Sequence, residues 1–149
     1  MRNGLRALPI VHGSVEFTKI VREIFLHSPP AHVMLELPES MTEAVRRAAP
    51  FIEDMPVITS RQNESGLEYH FIMEPLEPLV EAIRNSYELE IPYSLIDTAA
   101  EDIYLWSPDS FPDTYSLNVM TPPELYAAFT KNKDQFLSDS EHCLPCRIV

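Results

Sequence analysis

The chain has 149 residues, 45% of them hydrophobic and 23% charged, and its 11 basic against 23 acidic residues leave a net charge of −12. That length suits one domain with a real core. The acidic balance argues against nucleic-acid phosphates or an anionic membrane surface as partner, because both need clustered Lys and Arg. A cationic ligand, a metal ion or plain solubility is each compatible with it. No apolar run approaches the ~20 residues of a membrane span, and Met1-Arg2-Asn3-Gly4 lacks the marks of a secretory signal, so a cytoplasmic setting is expected. The two cysteines, Cys143 and Cys146, are too few for a disulfide framework.

In chain order, residues 6–11 form a short apolar strand that ends in His12-Gly13-Ser14. Ser14 is placed to cap a helix whose Phe17, Ile20, Val21, Ile24 and Phe25 share one face, while Glu16, Lys19, Arg22 and Glu23 take the other. Ser28-Pro29-Pro30 stops it. Residues 32–37 (His-Val-Met-Leu-Glu-Leu) are a second strand, and an intervening helix between two apolar strands implies a βαβ unit with parallel pairing. Ser40 and Glu43 have capping-box spacing for a second helix, which Pro50 should kink or end.

Residues 55–60 and 67–73 read as strands joined by the polar turn at 61–66, and so short a link favours an antiparallel hairpin. A helix over 77–89 follows, with Leu76, Leu79, Val80, Ile83 and Tyr87 as its core stripe, and then a strand over 91–96 closed by Asp97. Residues 98–120 are an acidic, proline-rich loop containing Trp106. Thr121-Pro122-Pro123-Glu124 is a strong helix start, and that helix is expected to reach residue 137 before a tail at 138–149. The predicted fold is thus α/β: a three-layer sandwich with a mostly parallel sheet of βαβ units and one antiparallel hairpin strand. Residues 1–137 form its single domain.

Chemistry is expected at the carboxyl edge of the sheet, where strand ends and helix N-termini converge. His12, Glu36 and Asp97 fall at strand ends, and Glu77 opens the helix that leads into the last of these strands. One His with several carboxylates can hold a divalent metal ion through His12, Glu36 and Asp97 and position a water for attack. The same set can act by acid–base catalysis without metal. His142-Cys143-x-x-Cys146 is only half of a zinc site and reads as an incidental tail. His27, His32 and His70 read as structural, and Trp106, Tyr87 and Tyr93 as packing. With three glycines in the chain, neither a phosphate loop nor a nucleophile elbow is present.

The series Ile10-Val11-His12-Gly13-Ser14, Met34-Leu35-Glu36-Leu37, Glu77-Pro78-Leu79-Val80-Glu81-Ala82 and Ser94-Leu95-Ile96-Asp97 resembles the motif order of the TraB/PrgY/GumN family, which includes the TIKI proteins. That family lies within a wider group with erythromycin-esterase-like and ChaN-like proteins. Its pattern has Gly-Thr-x-His, Glu-Leu-Asp, a Gly-x-Glu-Met helix start and Asp-Arg-Asp. His12, Glu36, Glu77 and Asp97 occupy the corresponding positions. The resemblance spans residues 8–103. It implies an α/β fold with a polar His and carboxylate site, and in the TIKI branch a metal-dependent peptidase activity. Family members usually run longer, which casts residues 1–137 as an N-terminal part of the family domain.

Pro9 and Ile10 stand where the family has Gly-Thr, Pro38 replaces the Asp after Glu36-Leu37, and Thr98 replaces the Arg after Asp97. Two expectations follow. One is a metal-dependent hydrolase-like domain of peptidase or esterase type, acting on a peptide or small molecule, with His12, Glu36, Glu77 and Asp97 as catalytic residues. The other is a non-catalytic binding or regulatory module that uses the acidic loop at 99–114 as a partner surface.

Overall fold

The first apolar run condenses to a two-residue strand, β1 (Leu8–Pro9), because Pro9 has no N–H to give to a longer ladder. The chain is described by a computed structural model over residues 4–61, 68–97, 119–131 and 147–148. It divides into two units, Met1–Glu101 with Cys146–Val149, and Asp102–Pro145.

In the first unit, β1 is followed by α1 (Val15–His27), β2 (Val33–Pro38), a 3-10 turn (Glu39–Met41), α2 (Thr42–Ala48), a second 3-10 stretch (Ala49–Asp54), β3 (Val57–Arg61), β4 (Glu68–Ile72), α3 (Pro78–Glu88) and β5 (Tyr93–Asp97). The second unit contains α4 (Pro122–Lys131), and β6 (Arg147–Ile148) returns to the first. Among the described residues no helix is long and apolar enough to cross a membrane.

The main sheet has the order β1-β6-β2-β5. β2 and β5 pair in parallel, Val33 with Tyr93 and Leu35 with Leu95, and the register slips before Pro38 meets Asp97. β6 runs antiparallel to both β1 and β2. β1, β2 and β5 therefore all point the same way, but β1 and β2 are not neighbours as a simple βαβ unit requires. The predicted mostly parallel sheet is a mixed one, whose single parallel pair among the described residues is β2–β5. β6 lies in the stretch read as a tail.

β3 and β4 form the expected antiparallel hairpin, as a separate sheet in which Val57 pairs with Ile72 and Thr59 with His70. The expected capping box at Ser40 and Glu43 is absent: Met41 is the N-cap of α2, with no side-chain cap bond, and the Thr42 hydroxyl donates back to the Glu39 carbonyl at 2.7 Å. Pro50 breaks the helix as expected, with Phe51 outside helical geometry.

The core of the first unit lies where α3 packs on α1 and β2. Phe17, Val21 and Phe25 of α1, Leu35 of β2 and Leu79, Val80 and Ile83 of α3 are buried there. Leu76 and Tyr87, expected in the α3 stripe, are about half exposed, whereas Glu81, Asn85 and Ser86 are buried.

The Glu81 carboxylate is tolerated because donors surround it. Arg22 Nε of α1 donates to Oε1 at 2.7 Å, Arg84 Nη2 to Oε1 at 2.6 Å and Nε to Oε2 at 3.1 Å, and Asn85 Nδ2 to Oε1 at 2.9 Å. Burial alone would raise its pKa, but the hydrogen bonds from Arg84, Arg22 and Asn85 outweigh burial and hold it below the ordinary carboxyl value of 4.5. The hydrogen bond to Glu81 raises Arg84 in turn. A carboxyl whose pKa is lower folded than unfolded adds stability above its unfolded value, and that stability is lost as pH falls through the folded one. The urea midpoint is therefore expected to fall as pH drops below the ordinary value of 4.5, more steeply in the native protein than in Glu81→Gln.

In the second unit, the backbone N–H and hydroxyl of Thr121 both donate to Glu124 Oε2, at 2.8 and 2.7 Å, as the predicted helix start requires. The loop at 99–114, Trp106, His142, Cys143 and Cys146 lie outside the described residues.

Candidate functional site

Glu77 precedes Pro78, and a residue before proline is steered to extended backbone, which suits an N-cap. Its φ of −78° and ψ of 126° place it as the cap of α3, with Pro78 in the first turn. α3 crosses over into β5, a strand parallel to β2, so its N-terminus comes to the carboxyl edge of the sheet. The Thr18 hydroxyl of α1 donates to the Leu76 carbonyl and ties the start of α1 to the residue before Glu77.

At that edge the chain leaving β1 turns through Gly13, whose φ of +68° is left-handed. The turn brings His12 and the Gly13 amide to Glu77, 65 and 64 residues away in sequence. His12 Nδ1 lies 2.7 Å from Glu77 Oε1, and the Gly13 N–H donates to Oε2 at 2.8 Å. The Leu79 N–H adds a long contact to Oε1 at 3.5 Å. The Glu77 side chain is 11% exposed and that of His12 52%. Against an ionised carboxylate, which only accepts, this contact is a hydrogen bond when Nδ1 carries the ring proton.

A Cβ added at Gly13 would meet nothing within 4 Å. Gly13→Ala is therefore expected to cost only the left-handed strain, about 1–2 kcal/mol in thermal or urea unfolding.

Asp97 ends β5 opposite Pro38, and Glu36 sits two residues before Pro38, both half-buried. The common direction of β1, β2 and β5 sends His12, Glu36 and Asp97 toward one edge. Of the four predicted site residues, His12 and Glu77 are brought into direct side-chain contact. Among the described residues no three His, Cys, Asp or Glu side chains are grouped so as to hold a metal ion. His12, Glu36 and Asp97, the expected ligand set, are not grouped in that way.

The other described histidines have local partners: His32 Nε2 with Ser94 Oγ at 2.9 Å, His70 Nδ1 with Thr59 Oγ1 at 3.1 Å, and His27 Nε2 with Glu23 Oε2 at 2.9 Å. Sequence reasoning missed the Gly13 amide and Thr18 as parts of the site. Thr18 did carry a signal, since it follows Ser14 by four residues and precedes Val21 and Phe25 on the buried face.

No protein-family model, curated protein or solved structure matches the chain.

Proposed function

We propose that the first unit carries a hydrolase-like acid–base site of esterase or peptidase type, in which His12 moves the proton and Glu77 positions it. The observation that carries this reading is the 2.7 Å contact between His12 Nδ1 and Glu77 Oε1 at the carboxyl edge of the strands. A carboxylate that fixes one imidazole nitrogen orients the ring and stabilises the imidazolium formed when the other takes a proton. The contact also unites two positions that the resemblance to the TraB/PrgY/GumN family marks independently, one after the first strand and one at a helix start.

In the proposed reaction His12 Nε2 accepts a proton from water as its oxygen attacks the substrate carbonyl carbon. The same nitrogen then returns that proton to the leaving oxygen or nitrogen as the carbon–heteroatom bond breaks, giving an acid and an alcohol or amine. Glu36 and Asp97, at the same edge, are assigned to orienting water or substrate. The proposal includes a three-layer α/β sandwich as the full family-type fold and the cytoplasm as its setting.

The test is a panel of nitrophenyl esters and fluorogenic peptides. Turnover of at least one substrate is expected, with the same substrate lost in His12→Ala. Turnover that survives in His12→Ala, or none on any substrate, would contradict the proposal.

A further inference from the structure

We propose that the outer face of the β3–β4 hairpin docks a basic amphipathic helix of a partner protein. Side chains alternate across a strand pair, and the hairpin register sorts them. Ile58 and Met73 point inward and are buried, while Val57 and Thr59 of β3 and Ile72 and His70 of β4 point outward and are exposed. The Met73 N–H donates to the Pro56 carbonyl at 2.9 Å, and the ladder ends there, because Met55 is left-handed (φ 49°) and the Glu74 N–H turns back to the Ile72 carbonyl.

Val57 and Ile72, paired on that face, are 58 and 56% exposed, and Met55, two residues before Val57, is 54% exposed. Single exposed apolar residues need no explanation, but a register-paired couple with a third exposed apolar residue two positions along the chain, on a sheet that has no third strand among the described residues, does. The inner face of the hairpin already packs, through β3, on α2 and the turn before it.

Charge selects the occupant. Glu74 follows Ile72 by two residues just past the end of β4, and Glu53 and Asp54 directly precede Met55, all three exposed. Arg61 stands at the far end of β3. An apolar patch with an acidic border, on a chain of net charge −12, repels a second copy of itself and an anionic lipid surface. It attracts an apolar stripe flanked by Lys and Arg. Two strands about 4.8 Å apart form a strip close to the width of one helix, so a helix lying along the hairpin covers the patch. Docking on this face does not depend on the proposed hydrolase site.

The probe is a labelled amphipathic peptide of Leu and Lys, about 18 residues long so that it can hold helix, with a Leu and Glu counterpart, read by fluorescence anisotropy. The Lys peptide is expected to bind and the Glu peptide not to. Val57→Thr with Ile72→Thr keeps β-branched side chains and net charge, and is expected to weaken binding roughly tenfold. Asp54→Asn with Glu74→Gln is expected to weaken it several-fold and to flatten its salt dependence. Equal binding to the native protein and the Thr variant would overturn the proposal, as charge attraction alone would then suffice. Absence of binding, or self-association that the Thr variant abolishes, would overturn it as well.

Discussion

Glu81→Ala is expected to destabilise the protein by about 1–3 kcal/mol, because it removes the buried acceptor at the centre of an ion-pair network whose arginines stay partly solvated. The Glu81 side chain is 1% exposed and gathers Arg22 from α1 and Arg84 and Asn85 from its own helix. Removing it leaves the Asn85 side-chain amide, in a buried residue, with only the Glu81 backbone carbonyl, at 2.7 Å. It leaves Arg84 with Glu88 at 2.7 Å. Arg22→Ala is expected to cost less, since the Arg22 side chain is 55% exposed and Arg84 still pairs with the carboxylate. Urea unfolding of both variants checks the order, and an equal or reversed order would show that the carboxylate is not the centre of the network.

The second large effect belongs to the proposed site. Where a substrate is turned over, His12→Ala is expected to lower kcat by about 10²–10⁴-fold, the range lost with a general base. Glu77→Gln keeps the shape of the α3 cap but removes the charge that stabilises an imidazolium, so it is expected to lower kcat less, with KM little changed. Because Glu77 acts through His12, the double variant is expected to be no slower than His12→Ala alone. Additive losses would separate the two residues and leave Glu77 a purely structural cap.

Much of this architecture is legible in the residues, for local reasons. The apolar spacing of Phe17, Val21 and Phe25 marks the buried face of α1, and Pro50 marks the break after α2. The short link between β3 and β4 marks a hairpin. Thr121 and Glu124 deliver their predicted contact at the start of α4, while Ser40 and Glu43 do not, because a 3-10 turn intervenes before α2.

What was not legible depends on distant partners. β6 is only two residues long and exists through pairing with β1 and β2, more than a hundred residues earlier. Glu81 is outside the apolar stripe that spacing marks on α3, and its burial depends on Arg22 and Arg84 closing on it. Tyr87 matched the apolar stripe by spacing yet is 52% exposed, near the end of α3.

The candidate site divides in the same way. His12 and Glu77 were singled out by motif order and strand position, and the left-handed turn at Gly13 brings them together. That Nδ1 is the nitrogen facing Glu77 could not be read from the chain, since it follows from the path of the turn. Glu36 and Asp97 share the edge by strand direction.

The most direct measurement is the tautomer of the His12 ring, read from its nitrogen shifts and long-range couplings by NMR in labelled protein at a pH where the ring is neutral. The expected result is a proton on Nδ1, donated to Glu77, with Nε2 as the basic nitrogen. A neutral ring with its proton on Nε2 would contradict the proposed role of His12, because the nitrogen assigned to take the proton would already hold one.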